Sequence, residues 1–120
     1  MAGTALVVDD SMLIRHTICR FLEERGFQVE AASNGKEALE IVNRTPPALI
    51  FTDLQMPQMS GPELITELKS HPETAAIPIV VVAARRRAGE TLIENRAQFV
   101  IYKDIDIDEQ LDKAVLALSS

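Results

Sequence analysis

A chain of 120 residues is long enough for one domain that buries roughly two thirds of its unfolded surface, so its stability requires neither disulfides nor structural metals. Eighteen acidic against twelve basic side chains leave a net charge of -6, with no long basic run and few aromatics. That balance argues against nucleic-acid binding and favours a positively charged partner or a metal ion. No apolar segment approaches the ~20 residues of a membrane span, so no membrane contact is expected, and the N-terminus lacks the basic and apolar regions of a signal peptide. The single cysteine, Cys19, has no internal partner and reads as a core or near-core thiol in a reducing cytoplasm.

Five apolar runs alternate with five amphipathic stretches, the pattern of βαβ units around a parallel sheet covered on both faces. The first strand spans about Thr4 to Val8 and ends in Asp9-Asp10. Ser11 follows in an N-cap position, and Ile14, Ile18, Phe21 and Leu22 recur at helical spacing until Gly26 stops the helix. The segment from Phe27 to Ala31 alternates apolar with polar residues, as a half-exposed edge strand does. Asn34-Gly35 leads into a helix with Ala38, Ile41 and Val42 on one face, which ends before Pro46-Pro47.

The run Ala48-Leu49-Ile50-Phe51-Thr52 is too short for a helix and rich in strand formers. It is predicted to place Asp53 at the exposed tip of a buried strand. After it comes a stiff loop, Met56-Pro57-Gln58-Met59-Ser60-Gly61-Pro62, with Gly61 expected to supply the open dihedrals of a tight turn. A helix with Leu64, Ile65 and Leu68 and a polar link containing His71-Pro72 precede a wholly apolar, central strand from Ile79 to Ala83. The next helix is weakly specified, since Arg85-Arg86-Arg87-Ala88-Gly89-Glu90 opens it poorly and only Leu92 and Ile93 offer an apolar face. Phe99 to Tyr102 forms the fifth strand, and Leu111, Ala114, Val115 and Leu118 mark a closing helix. The chain contains no repeat or linker, so residues 1–120 read as one domain. If the first and third strands are parallel neighbours, Asp9, Asp10 and Asp53 converge at the sheet edge where open α/β sheets hold ligands.

Taken singly, Asp53 would be a turn former or cap and Lys103 an ordinary surface lysine. Together with Val8-Asp9-Asp10-Ser11 and Arg15, Asn34-Gly35-Lys36-Glu37-Ala38-Leu39, Asp53-Leu54-Gln55-Met56-Pro57, Met59 and Gly61, they cover the whole chain with a pattern that resembles the receiver domains of two-component response regulators, especially the single-domain chemotaxis type. The resemblance implies a flavodoxin-like, doubly wound five-stranded parallel sheet of order 2-1-3-4-5, with strands one and three side by side. It implies that Asp53 takes a phosphoryl group from the phosphohistidine of a histidine kinase or phosphotransfer protein, which is nucleophilic catalysis by a carboxylate. Lys103 would pair with phosphoryl oxygens as charge develops. The implied cofactor is Mg²⁺, which prefers near-octahedral oxygen coordination and commonly bridges carboxylates to phosphate. Asp9 or Asp10, Asp53 and a backbone carbonyl near Gln55 would supply that set, the resemblance favouring Asp10 as the direct ligand and Asp9 through water. Three like charges at one edge repel one another, so a bound cation keeps the nucleophile ionised and shields the incoming group. His16 and His71 have no metal-ligand partner at usable spacing and read as solvated. Gly35-Lys36 lacks the glycine-rich run of a phosphate-binding loop.

Three positions depart from the family pattern. A Thr or Ser normally ends strand four, where its hydroxyl turns toward the phosphoryl group; here that position is Ala83. The aromatic residue usually found three positions before the lysine is replaced by Val100, and strand alternation is expected to turn Phe99 and Tyr102 to the opposite side. The Lys-Pro step is Lys103-Asp104, which is expected to be trans because a non-proline cis bond costs about 2.5 to 4 kcal/mol. The acceptor chemistry is thus expected to survive beside a weakened or rewired switch, with Arg85 as a candidate modulator of phosphate lifetime. A phosphorylation-independent module that docks an unidentified downstream protein through the fourth-helix, fifth-strand and closing-helix face is the competing reading. A true phosphohydrolase is disfavoured, because no separate general acid is evident near Asp53; at most slow self-catalysed transfer and aspartyl-phosphate hydrolysis are expected.

Overall fold

The computed structural model describes residues 3–53, 59–83, 99–102 and 107–118. In chain order these form β1 (Thr4–Val8), α1 (Met12–Glu24), β2 (Gln28–Ala32), α2 (Gly35–Arg44), β3 (Leu49–Asp53), α3 (Gly61–Lys69), a one-turn α4 (Pro72–Ala75), β4 (Ile79–Ala83), β5 (Phe99–Tyr102) and α5 (Ile107–Leu118). The strands pair in parallel in the order β2-β1-β3-β4-β5, as expected for a flavodoxin-like, doubly wound sheet. The edge position expected for β2 is also observed.

Strand alternation sorts the core into two layers. Ala5 and Val7 of β1, Leu49 and Phe51 of β3, Val80 and Val82 of β4 and Ile101 of β5 pack against α1 and α5, through Ile18, Phe21, Leu22, Leu111, Ala114 and Val115. The alternate residues Leu6, Val8, Ile50, Ile79, Val81 and Ala83 pack against α2 and α3, through Ala38, Ile41, Val42, Leu64, Ile65 and Leu68. The central strands are buried on both faces, which is why they read as unbroken apolar runs.

The helix boundaries follow local chemistry. The Ser11 side chain accepts the Ile14 N–H and caps α1. The helix stops at Gly26, whose φ of 93° falls in the left-handed region that glycine tolerates best. There the Gly26 N–H donates to the Glu23 carbonyl at 3.1 Å and the Phe27 N–H to the Leu22 carbonyl at 3.1 Å, the double closure of a Schellman end.

Two sequence expectations are corrected on the way to β4. Gly61 is not an open turn residue but the first residue of α3, buried and followed by Pro62 in a capping box between Ser60 and Glu63; proline is well suited to a first helical turn. The polar link at His71-Pro72 contains the one-turn α4. Pro72 opens it, and the buried Thr74 hydroxyl donates to the Leu68 carbonyl at 2.6 Å, closing the exposed end of α3. The helix expected between β4 and β5 lies outside the described residues.

Candidate metal and phosphoacceptor site

The geometry of the site starts with register. Val8 of β1 pairs with Thr52 of β3, so the residues that follow them, Asp9 and Asp53, leave adjacent strands at the same level. One carboxylate oxygen from each of Asp9, Asp10 and Asp53 lies within 4.8 Å of the others. The convergence expected from the sequence is therefore present.

The three acids differ in setting. Asp9 is 1% exposed and Asp53 7%, whereas Asp10 is exposed. Asp53 is thus not at an exposed tip. It is the last residue of β3 and pairs with Val82 of β4, so β1 and β4 both reach its level and enclose it. The Asp9 backbone is held on both sides: its N–H donates to the Ala32 carbonyl at 3.1 Å, and its carbonyl accepts from Arg15 Nη1 at 2.8 Å. Its Oδ1 accepts the Ser11 N–H at 2.8 Å. Arg15, one helical turn beyond the cap, therefore braces the loop that carries two of the acids. Next to Asp53, the buried Thr52 hydroxyl donates to the Asp53 carbonyl at 3.0 Å.

The donor set fits a hard divalent cation. Carboxylate oxygens from three residues, Asp9 and Asp53 buried and Asp10 exposed, offer the oxygen ligation that Mg²⁺ prefers. Among the described residues, no soft sulfur or imidazole ligand belongs to the cluster.

The other predicted site residues distribute as follows. Ala83 is 2% exposed, one residue past the register partner of Asp53, and packs in the α2/α3 layer with Val100 against it. Val100 pairs with Val81, and Tyr102 with Ala83. Residues two apart share a strand face, so the alternation rule itself assigns position 102 to the same face as Val100, which corrects the expectation for Tyr102; the side chains of Phe99 and Tyr102 lie outside what the structure describes. Lys103, Gln55, Arg85 and the Lys103-Asp104 peptide lie outside the described residues. His16 and His71 are exposed; His71 Nε2 lies 3.2 Å from Glu67 Oε1. Cys19 is a half-buried free thiol against the α1/α5 layer, its pKa pushed up by burial and by the Glu23 charge.

A feature that sequence reasoning missed is the close seating of α2 on the segment after Asp53. The Gly35 N–H donates to the Met59 carbonyl at 3.2 Å. A bare Asn-Gly pair gave a turn signal but no partner, because the contact joins segments 24 positions apart in the sequence.

Three converging carboxylates at the strand exits where the order of a doubly wound sheet reverses mark the place where open α/β domains hold their ligands. The sequence matches the response regulator receiver domain model over residues 5–115, and the chain belongs to that family, the phosphoacceptor domains of two-component signalling. It is similar to the transcriptional regulatory protein SrrA of Staphylococcus aureus, with 36% identity over 85 residues, 71% of this chain and 34% of SrrA. The chain thus spans about a third of the length of that curated relative. Among solved structures, it is similar to the signal receiver domain of a signal transduction histidine kinase from Syntrophus aciditrophicus, with TM-score 0.85 and 31% identity over 97% of this chain and 89% of that one. It is also similar to the chemotaxis response regulator CheY4 of Vibrio cholerae, with TM-score 0.87 and 25% identity over 97% and 98% of the two chains. No described helix is long and apolar enough to cross a membrane.

Proposed function

We propose that this receiver is phosphorylated on Asp53, with Asp9, Asp10, Asp53 and the backbone carbonyl of Gln55 holding Mg²⁺ and Lys103 pairing with the phosphoryl group. The observation that carries the reading is the convergence of three carboxylates within 4.8 Å at the exits of adjacent strands. An Asp53 carboxylate oxygen attacks phosphorus, the P–N bond of a phosphohistidine breaks, and the imidazole leaves as an acyl phosphate forms. When bound, Mg²⁺ supplies charge neutralisation for the carboxylates and the transferred group. The protein's own part is to hold the nucleophile still: β3 fixes the Asp53 backbone, while Arg15 and Ser11 fix Asp9. The domain signals rather than turning over substrate, with at most slow self-catalysed transfer and hydrolysis of the aspartyl phosphate.

Phosphate donors are a sensor histidine kinase or phosphotransfer protein in the cytoplasm, and the output runs through a downstream protein. The composition argument against nucleic acid concerns these 120 residues; in a full-length protein such as SrrA, which is a transcriptional regulator, a DNA contact is compatible with it. The switch is weakened or rewired, since Ala83 offers no hydroxyl and Val100 no aromatic ring beside an intact acid set, and Arg85 modulates phosphate lifetime.

The test is incubation with acetyl phosphate and Mg²⁺ followed by intact-mass measurement. The expected result is a gain of one phosphoryl group in wild type and none in Asp53→Asn. No gain in wild type, while a control receiver is modified in parallel, overturns the proposal and leaves a phosphorylation-independent binding module. An unchanged dephosphorylation rate in Arg85→Ala removes the role given to that residue.

A further inference from the structure

The turn between β2 and α2 carries none of the three acids, yet it bonds to Asp9 and to Met59, six residues beyond Asp53. At one end, the carbonyl of the buried Ala32 accepts the Asp9 N–H at 3.1 Å; at the other, the Gly35 N–H donates to the Met59 carbonyl at 3.2 Å. Met59 stands at the far end of the segment that leaves Asp53. Side chains within the turn lock its shape. Asn34 Oδ1 accepts the Glu37 N–H at 2.8 Å, and Glu37 Oε1 accepts the Ser33 N–H at 2.7 Å.

Gly35 is the residue on which the second contact depends. A Cβ at this position would lie 2.5 Å from the Met59 carbonyl oxygen and 2.8 and 2.9 Å from Met59 Cβ and Cγ. The oxygen belongs to the backbone and cannot rotate aside, so a side chain here must push α2 or the Met59 segment outward. Helix propensity alone would favour alanine over glycine, and Gly35 has no positive φ to explain it. Close approach is the remaining physical reason for glycine.

We infer that the Ala32–Gly35 turn is a positioning element for the acidic site, fixing the separation of the β1 exit and the Asp53 segment, with Gly35 the residue that lets the bridge close. This rests on the reading that the acids hold a divalent cation. Partners just outside a metal's ligand shell commonly alter affinity by about ten- to a hundredfold when mutated.

The experiment is a Mg²⁺ titration of the 120-residue chain followed by backbone amide NMR, on wild type, Gly35→Ala and Gly26→Ala. Gly26 has a φ of 93° with open space around the Cβ position, so alanine there strains the chain away from the site. The expected outcome is a folded Gly35→Ala that binds Mg²⁺ about tenfold or more weakly, and a Gly26→Ala that is destabilised with wild-type affinity. Equal affinity in wild type and Gly35→Ala overturns the inference alone; no Mg²⁺ binding by wild type overturns the cation reading and this inference with it. If Gly35→Ala does not fold, amide exchange at Gly35 in wild type decides: slowing on Mg²⁺ saturation supports the bridge, and no change overturns it.

Discussion

The two halves of the sheet's C-terminal edge carry different chemistry. At the β1/β3 exits, buried and exposed carboxylates converge, with the Asp9 backbone held by Arg15 and Ala32 and its side chain by the Ser11 N–H. At the β4/β5 side, one strand away, the described residues Ala83 and Val100 sit in or against an apolar layer and carry no polar side chain. Accepting a phosphoryl group needs oxygen ligands and a fixed nucleophile; reporting it needs a group that moves in response. On the proposed reading the two requirements fall to separate strands, and the variants below test whether they change separately.

The largest effect that would break this comparison concerns the cation. Asp10 is exposed, so Asp10→Asn removes one of three converging charges with little disturbance to packing. Without Mg²⁺ the variant is expected to melt at the same temperature as wild type or slightly higher, because repulsion is relieved. At a Mg²⁺ concentration a hundredfold above Kd, wild type should gain about 2.7 kcal/mol, and the variant distinctly less. Thermal melts with and without Mg²⁺ measure both; an equal Mg²⁺ response in the two proteins would remove Asp10 from the site.

The second test acts on the other half of the edge. A hydrogen bond to a charged group is worth about 1.5 to 3 kcal/mol, and restoring one with Ala83→Thr should enlarge the phosphoryl-driven population shift by about tenfold to a hundredfold. Ala83 is 2% exposed, so the added atoms should also lower stability by about 1–3 kcal/mol. Amide spectra of β5 and α5 with beryllofluoride and Mg²⁺ read the shift. If wild type already responds there as fully as ordinary receivers do, the switch is not weakened and the contrast between the two halves fails.

The fold was legible because its strands obey simple rules. β1, β4 and β5 have the bounds expected from the sequence, and the capping Ser11 and terminating Gly26 are local signals. The identity of the acids was legible for the same reason, since Asp9 and Asp10 follow β1 and Asp53 ends β3. What escaped is non-local or set by neighbours. Asp53 is buried because β1 and β4 flank it, which the third strand alone does not encode. Gly61 was misread because the proline that follows it suits a helix's first turn as well as a stiff loop. The Gly35–Met59 seat has no periodic signal in the sequence.

A smaller effect sharpens the acid half. Arg15 Nη1 donates to the Asp9 carbonyl at 2.8 Å from a half-buried position, so Arg15→Ala should reduce stability by about 1.5 kcal/mol, the lower end for a charged hydrogen bond. Urea unfolding measures it. A midpoint equal to wild type would mean that the acid-bearing loop is held without this brace.

The smallest effect lies where the segment after Asp53 enters α3. Glu63 accepts the Ser60 N–H at 3.0 Å, and bonds to the Ser60 backbone and side chain hold its carboxyl below the usual carboxylate range. A carboxylate with a depressed folded-state pKa contributes stability that is present above the unfolded-state pKa and is lost as pH falls through the folded one. The stability difference between wild type and Glu63→Gln should therefore be largest near neutral pH and shrink through the acidic range. Because the group is exposed, the difference should be small and weakened further by salt. A difference that stays constant from neutral pH to below the carboxylate range would assign the effect to the cap's shape rather than its charge.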